Sequence, residues 1–350
     1  MTDQSTPGTS DLAVIYLARY AEGTKPIQTF IKSYERHQAG APHDFILLRK
    51  GNPDEKIDLF LARYLPAAIS LPDDGVDITS YAAAAALLPH RLIVCLNTFS
   101  EIASDDWLAK LRAVFDRPGV GIAGATGSYE SPRASMRRLK KRLFLAQPRF
   151  FPSPTRLRGA FQFVRRILPK KFSRYLVNKL IARLLTSAEK SKSVSNSEAE
   201  FEAFWVRETK AEGTYSYFQA MPDFPNAHLR TNAFIIDRHI FLNSGASAVL
   251  TRTEAYLYEF GPDSLTRQML RKGKQAIVVG RDGKGYDVGD WPRSRTFRLE
   301  DQANLLIHDN QTRAFDRMTK QERNAFASIT WGEDHSASLS DHNLPNNAPR

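Results

Sequence analysis

Short apolar segments alternate with single helices along the first third of the chain, and this alternation restricts the fold more than any other feature. The segments typical of strands are residues 12–17, 44–48, 67–71 and 91–96. The intervening helices are expected from Thr24 to near Gly40, and at residues 54–64, 78–88 and 105–115, with Ser104 as the cap of the last one. Parallel strands joined by one helix require right-handed crossovers. The sequence therefore predicts an α/β fold with a mainly parallel, doubly wound sheet and helices on both faces.

The stretch Gly119-Val-Gly121-Ile-Ala-Gly124 has the spacing of a dinucleotide-binding motif. That motif needs a strand before it and a helix that opens within it. Here a predicted helix comes before and a strand, residues 120–125, contains the glycines. We therefore do not expect a nicotinamide site. Further strands are predicted at residues 232–237 and 275–279, with helices at 253–258 and 263–271 between them.

Composition indicates an ordinary globular protein. The chain has 350 residues, of which 42% are hydrophobic. It has no run of about 18 apolar residues, and its first ten residues lack the basic and apolar parts of an export signal. The single cysteine, Cys95, is expected in a buried strand. These features favour a cytoplasmic protein.

Most of the basic charge lies in one segment. Residues 131–190 contain 17 Lys and Arg and a single acid, Glu189. Apolar residues at helical spacing beside these cations are typical of a helix on an anionic membrane, or of one packed on its parent domain with a basic rim. Nucleic acid is the weakest of the three alternatives, because no recognised binding module accompanies the charge. Ser187–Glu200 is expected to be a polar linker.

Polar residues follow two of the predicted strands directly. The strand at residues 91–96 ends in Asn97-Thr-Phe-Ser-Glu101, which we call the elbow. Asp74 and Asp77 stand three residues apart at the start of a helix, so they lie on one side of it. Since ligands of open α/β sheets bind at the carboxyl ends of the strands, both places are candidate sites.

Three stretches in this order resemble an inverting glycosyltransferase of the broad family 2 kind, with the GT-A fold, which includes bacterial rhamnosyltransferases. They are Val14–Tyr20, Asp73–Asp77 with the alanine-rich helix after it, and Leu96–Ile102 with the helix that follows. The resemblance covers residues 11–130 and 215–315, and the basic segment lies outside it.

This resemblance implies a domain organisation. Residues 11–130 would form the half that binds a nucleotide-sugar, 131–214 a basic helical insertion and linker, and 215–330 the acceptor and catalytic half. Residues 1–10 and 331–350 are expected to be disordered tails.

The resemblance also implies a donor site formed by Arg19, Asp74, Asp77, Asn97, Ser100 and Glu101. In the family an aspartate at the position of Phe99 holds a divalent cation, Mg or Mn, against the donor diphosphate. Glu101 is the only carboxylate of the elbow and is the candidate metal ligand. Three alternatives stay open: other oxygens bind the metal, cationic side chains neutralise the diphosphate, or the site is inactive. We expect a transferase with little or no metal dependence.

On the acceptor side the resemblance implies that His228, Arg230, Arg281 and His308 bind acceptor or phosphate. The glycine-rich stretch from Gly280 to Tyr286 is either a phosphate cradle or a turn. The catalytic base that an inverting transfer needs is expected to be Glu259, with Asp263 second and Glu254 third.

The expected function is transfer of a sugar from a nucleoside-diphosphate donor to a carbohydrate or lipid-linked acceptor, in cell-surface polysaccharide synthesis. The expected location is the cytoplasm, at the inner membrane face if the basic segment binds anionic lipid. The alternative is a non-catalytic member of this fold that binds carbohydrate or is recruited to a membrane.

Overall fold

Strands of the first and last thirds of the chain form one large sheet. The computed structural model describes residues 10–145, 197–210 and 219–333. Its strands are β1 (Leu12–Arg19), β2 (Asp44–Lys50), β3 (Ile69–Leu71), β4 (Leu92–Leu96), β5 (Glu101–Ile102), β6 (Val120–Gly124), β7 (Gly127–Ser128), β8 (His228–Leu229), β9 (Ala233–Asp237), β10 (Gln275–Val279), β11 (Gly285–Tyr286) and β12 (Ile307–His308).

Helices follow most of these strands. The α-helices of the described residues are α1 (Thr24–Arg36), α2 (Glu55–Leu61), α3 (Asp77–Leu87), α4 (Trp107–Phe115), α5 (Pro132–Leu145), α6 (Ser197–Lys210), α7 (Arg238–Leu242), α8 (Arg252–Phe260), α9 (Leu265–Arg271), α10 (Asn310–Asp316) and α11 (Lys320–Trp331). Short 3-10 helices lie at Tyr20–Glu22, Ala62–Ala67, Ala246–Ala248 and Val288–Ser294. The strands and helices expected in the first third are therefore confirmed to within a few residues.

The eight-stranded sheet has the order β11-β10-β6-β9-β4-β1-β2-β3. Strands β3, β2, β1 and β4 are parallel, and so are β6 and β10. Strand β9 runs antiparallel to both of its neighbours, β4 and β6. The predicted α/β class with a mainly parallel sheet is confirmed. The reversed strand puts the start of β9 at the same edge as the carboxyl ends of its neighbours β4 and β6.

Both faces of the sheet are covered. All residues of β1 from Leu12 to Ala18 are fully buried, which only a sheet with packing on each side allows. On one face the ring of Tyr16 stacks on Phe30 of α1, with 3.6 Å between the ring centroids. On the other face Tyr81 of α3 meets the ring of Phe234 edge-on. The helices on both faces that the sequence predicted are thus confirmed.

The chain divides into two compact units. The first comprises the residues up to Tyr129 together with Asn226–Arg317, and it contains the whole sheet. The second comprises Glu130–Pro225 and the residues from Met318 on. Its described part contains α5, α6 and α11, and it buries the side chains of Phe201, Trp205 and Trp331.

Some local expectations are wrong or fall outside the described residues. Ser104 does not cap α4, because Asp106 occupies the N-cap position with a left-handed φ of 56°. The polar linker expected at Ser187–Glu200 is helical from Ser197 on. The part of the basic segment from residue 146 on lies outside the described residues, and so do residues 1–9 and 334–350 of the tails expected at 1–10 and 331–350. Trp331, inside the second expected tail, is the last residue of α11 and is buried.

Two sequence-based exclusions can be compared with the structure. The glycine stretch forms strand β6 after helix α4, as predicted, so no helix opens within it. Among the helices that the structure describes, none has the length and apolar character needed to cross a membrane.

Candidate functional site

Three chain segments converge where the central strands of the sheet end. The Asn97 N–H, just past β4, donates to the carbonyl oxygen of Asn232, just before β9, at 3.1 Å. Beyond β6, the Thr126 hydroxyl donates to the side-chain Oδ1 of Asn232, also at 3.1 Å. The Nδ2 of Asn232 is buried and meets no acceptor in the described part of the chain. A buried donor without a partner is costly, so it marks a place where a ligand could be received.

Arg19, at the end of β1, is fixed by the segment after β3. Its Nε and Nη2 donate to the two carboxylate oxygens of Asp73 at 2.8 and 3.2 Å. The Arg19 hydrogen bond lowers the pKa of Asp73, and Glu22 makes a longer contact with the same guanidinium at 3.4 Å. The predicted donor residue Arg19 is therefore held at the edge of the sheet where the strands end.

Asp77 and Lys50 form the inner part of the same edge. Asp77 is the first residue of α3, and burial raises the pKa of its carboxyl while Lys50 and Arg19 oppose the shift. Lys50 is only 1% exposed, and its Nζ donates to Ser80 Oγ of α3 at 3.0 Å. Burial lowers the pKa of Lys50, and Asp77 partly offsets this. The predicted residue Asp74 is exposed beside them.

Glu259 reaches this edge from α8. Its Oε2 accepts hydrogen bonds from the backbone N–H of Thr231, at 3.2 Å, and from the Thr231 hydroxyl. Its negative charge contributes to the raised pKa of Asp77, so the two carboxylates are electrostatic neighbours. The structure thus brings together a candidate base from the second half of the chain and a candidate donor ligand from the first.

The other two candidate acids have different surroundings. Asp263 is 81% exposed at its side chain and pairs with Arg271 at 2.8 Å. Glu254 forms a capping box with Thr251 at the start of α8. Neither contact involves the edge where Glu259, Asp77 and Arg19 lie.

The elbow is packed against α10. Asn97 Oδ1 accepts from the Phe99 N–H at 3.1 Å and from the Ser100 hydroxyl at 3.2 Å, so these predicted residues fix the turn itself. Glu101 Oε2 accepts from Arg313 Nη1 at 2.8 Å. Arg313 Nη2 donates to the Phe99 carbonyl oxygen at 2.9 Å. A guanidinium therefore lies against the one carboxylate of the elbow.

This arrangement does not fit a divalent cation at the elbow. Hard cations need several oxygen ligands, and carboxylates are their usual source in proteins. Phe99 supplies none, and Glu101 is already paired with Arg313. No group of three or more His, Cys, Asp and Glu side chains suited to a metal ion occurs in residues 10–145, 197–210 and 219–333.

His308 lies next to Glu101 on the neighbouring strand. The two residues are direct partners in the antiparallel pair of β12 and β5. Burial lowers the pKa of His308, and the charges of Asp316 and Glu101 act in the opposite direction. Its Nδ1 is buried with no hydrogen-bond partner in the described residues.

The glycine-rich stretch forms a turn between β10 and β11 and is not a phosphate cradle. A cradle needs free backbone N–H groups. Here the N–H groups of Gly280, Arg281, Asp282 and Gly283 all donate within the protein, to Lys284, Asn304 and Gly280 itself. The Arg281 Nε also donates to the Leu305 carbonyl oxygen, at 3.2 Å.

The predicted acceptor residues His228 and Arg230 are buried. His228 is 4% exposed, and its Nδ1 lies 2.8 Å from the carbonyl oxygen of Asn226. Arg230 donates to Asp309 Oδ2 at 2.6 Å and stacks on the ring of Phe297. The structure therefore places the Arg230 guanidinium in an internal ion pair and not on an open surface.

Sequence reasoning gave no individual role to four residues of this region: Lys50, Thr231, Asn232 and Arg313. Lys50 could have been found from the sequence, because a lysine at the end of a buried strand is rare and indicates a structural or functional role. Arg313 belongs to a run of hydrogen-bonding residues at 308–313, which the sequence offers as a segment that could close over a diphosphate. Its pairing with Glu101 could not be predicted, because the two residues are 212 positions apart.

Comparisons with known proteins concern the fold. A scan against protein-family models and a search of curated proteins found no match. Similar solved structures include GalNAc-T7 with UDP, GalNAc and Mn2+, at 14% identity and a TM-score of 0.27, over 34% of this chain and 23% of that chain.

Two further structures extend this comparison. Glucosyl-3-phosphoglycerate synthase from Mycobacterium tuberculosis, with Mn2+, UDP and phosphoglyceric acid, matches at 14% identity and a TM-score of 0.27, over 34% of this chain and 48% of that chain. CMP:2-keto-3-deoxy-manno-octonic acid synthetase with CTP matches at 16% identity and 0.28, over 36% and 56%. The chain spans less than two thirds of each of these proteins. Such likeness concerns fold alone, and the reaction depends on the site residues.

Proposed function

We propose that the protein is an inverting glycosyltransferase that moves a hexosyl or deoxyhexosyl group from a nucleoside-diphosphate donor to a carbohydrate or lipid-linked acceptor. In this reaction an acceptor hydroxyl attacks the anomeric carbon while the bond from that carbon to the diphosphate oxygen breaks. The hydroxyl proton passes to a carboxylate on the side opposite the leaving group.

The observation that carries the proposal is the position of Glu259. Two hydrogen bonds from Thr231 hold its Oε2, whereas its Oε1 accepts none from the described residues. One oxygen of a fixed carboxylate is therefore available to take a proton.

The donor would bind along the ends of β1 to β4. Asp77 and Asp73 offer carboxylate oxygens to the hydroxyls of a ribose or sugar, and Arg19 fixes Asp73 in place. Asn97 and Ser100 shape the elbow beside them. His308 and the buried Nδ2 of Asn232 are further groups that could meet a polar ligand.

An anionic membrane surface is a proposed partner of the basic segment, of which α5 is the described helical part. Three of its arginines pair with acids of the same compact unit: Arg133 with Asp223 at 3.4 Å, Arg137 with Glu202, and Arg138 with Glu333 at 3.4 Å. These pairs favour packing for α5 itself. Salt-sensitive sedimentation of the full chain with phosphatidylglycerol vesicles, and not with phosphatidylcholine vesicles, would support lipid binding by the rest of the segment.

The proposed function is tested by incubating the purified protein with a panel of nucleotide-sugars, with and without manganese. We expect one donor to bind and to be hydrolysed slowly, as a transferase does when its acceptor is missing. Absence of both binding and hydrolysis across the panel would contradict the proposal.

A second candidate is a non-catalytic protein of this fold that binds carbohydrate or is recruited to a membrane. Phe99 favours this candidate, because it stands where the family that the chain resembles has a metal-binding aspartate. Binding of a donor with no hydrolysis, and with no transfer to any acceptor offered, would support this candidate against the first.

A further inference from the structure

The cation that faces the elbow is an arginine side chain. Arg313 joins two groups of the elbow, the Glu101 carboxylate at 2.8 Å and the Phe99 carbonyl oxygen at 2.9 Å. Phe99 itself contributes only its backbone oxygen. The guanidinium is thus hydrogen-bonded to the loop that follows β4. This loop lies at the edge of the sheet where the Asn97 N–H donates to the Asn232 carbonyl oxygen.

Arg313 has donors left over for a ligand. A guanidinium carries five N–H groups in a planar fork, which matches the oxygens of a phosphate. Two of the five are used by Glu101 and Phe99, and the other three meet no acceptor in the described residues. The side chain is 24% exposed, so a ligand at this edge of the sheet can reach it.

Helix α10 fixes the position of this side chain. Asp309 caps the helix by accepting from the N–H groups of Gln311 and Thr312 at 3.0 and 2.8 Å. Arg313 stands one turn later on the same helix. Its guanidinium is therefore presented to the elbow by a rigid element and held there by two hydrogen bonds, which is the preorganisation that charge stabilisation requires.

We infer that the Arg313 guanidinium, and not a divalent cation, neutralises the leaving diphosphate. This inference rests on the proposed transfer reaction. When the bond from the anomeric carbon to the diphosphate oxygen breaks, its electron pair stays on that oxygen, and Arg313 stabilises the added charge without giving up a proton. The acceptor proton goes to Glu259. Glu101 holds the guanidinium in place and is not a metal ligand.

The test is calorimetric titration of the full chain with UDP, GDP, dTDP and CDP, and with the matching nucleosides, in EDTA and in excess MnCl2. We expect one nucleoside diphosphate to bind with the same affinity in both buffers. Replacement of Arg313 by Gln should weaken its binding about tenfold to a hundredfold, because charge-assisted hydrogen bonds are lost. The affinity for the matching nucleoside should not fall.

Two further variants guard against misfolding and indirect effects. Arg317→Gln removes an exposed arginine at the end of the same helix and should leave diphosphate affinity unchanged. Glu101→Gln keeps a side-chain oxygen that can accept from Arg313 Nη1 and removes the negative charge beside the proposed phosphate position, so it should tighten diphosphate binding. If Glu101 were a metal ligand, the same change would abolish binding that depends on manganese.

The outcomes separate the inference from the proposed function. Binding of a diphosphate by the wild type only with manganese, or equal affinities of wild type and Arg313→Gln, would overturn the role of Arg313 and leave the transferase intact. If Glu101→Gln lowered the affinity for the diphosphate as much as Arg313→Gln, the contact between the two residues would have only a structural role. That result would also overturn the role of Arg313. No binding of any nucleoside diphosphate in either buffer would refute both proposals.

Discussion

Arg230 and Asp309 form an ion pair of 2.6 Å whose side chains are 7% and 1% exposed. Burial works against the charged form of Asp309, but Arg230 and the N–H groups of α10 outweigh it and lower the pKa of Asp309. The pair joins the segment before β9 to the start of α10. It therefore stabilises the part of the fold that carries Arg313.

Replacing Asp309 by Asn should lower the free energy of unfolding by about 3–5 kcal/mol, because it leaves the buried Arg230 charge uncompensated. Asn is as good a helix cap as Asp, so the cap itself should survive. The matched control is Asp237→Asn, which changes the cap of α7, where Asp237 accepts from the N–H groups of His239 and Ile240. The control should cost only a few tenths of a kcal/mol. Equal losses in urea unfolding would show that the ion pair adds nothing.

Replacing Glu259 by Gln should reduce turnover by about a hundredfold to ten-thousandfold, the usual contribution of a general base. Donor affinity should be retained, because the shape of the side chain is kept. Glu254→Gln is the control on the same helix, since its carboxylate is used in the Thr251 capping box. Transfer rates and donor binding measured on both variants decide the assignment. Full turnover in Glu259→Gln would exclude it as the base.

Stability should rise with pH below about 6.5, the ordinary pKa of histidine, because of His308. Burial lowers the pKa of His308 in the folded protein. Between that lowered value and about 6.5 the unfolded chain binds more protons, so acid favours unfolding. His308→Gln should flatten the dependence of unfolding free energy on pH in this window, and a replacement of the exposed His239 should not. An unchanged slope in His308→Gln would contradict the assignment.

Replacing Lys50 by Met should raise the pKa of Asp77 further, because the Lys50 charge now opposes the effect of burial on that carboxyl. Carbon-13 NMR titration of the Asp77 carboxyl measures this directly. Lys272→Met, which removes an exposed lysine far along the chain, serves as the control. If both variants left the Asp77 titration unchanged, Lys50 and Asp77 would not be coupled.

The site was only partly predictable from the sequence. Asp77 and Glu259 could be placed on helices from the local sequence alone. The structure makes them electrostatic neighbours. The choice between Glu259 and Asp263 could not be made from spacing. It depends on Thr231, which is 28 positions away from Glu259 and donates to it twice.

The sequence by itself determined the strands and helices of the first third, because apolar periodicity is a local property that each segment carries on its own. It also determined that the sheet is mainly parallel, since single helices connect the early strands. Only the tertiary structure decided that β9 runs in reverse between β4 and β6, and that Arg313 meets Glu101. Such pairings join segments far apart in the chain, and they depend on which surfaces remain to be covered once the local elements have packed.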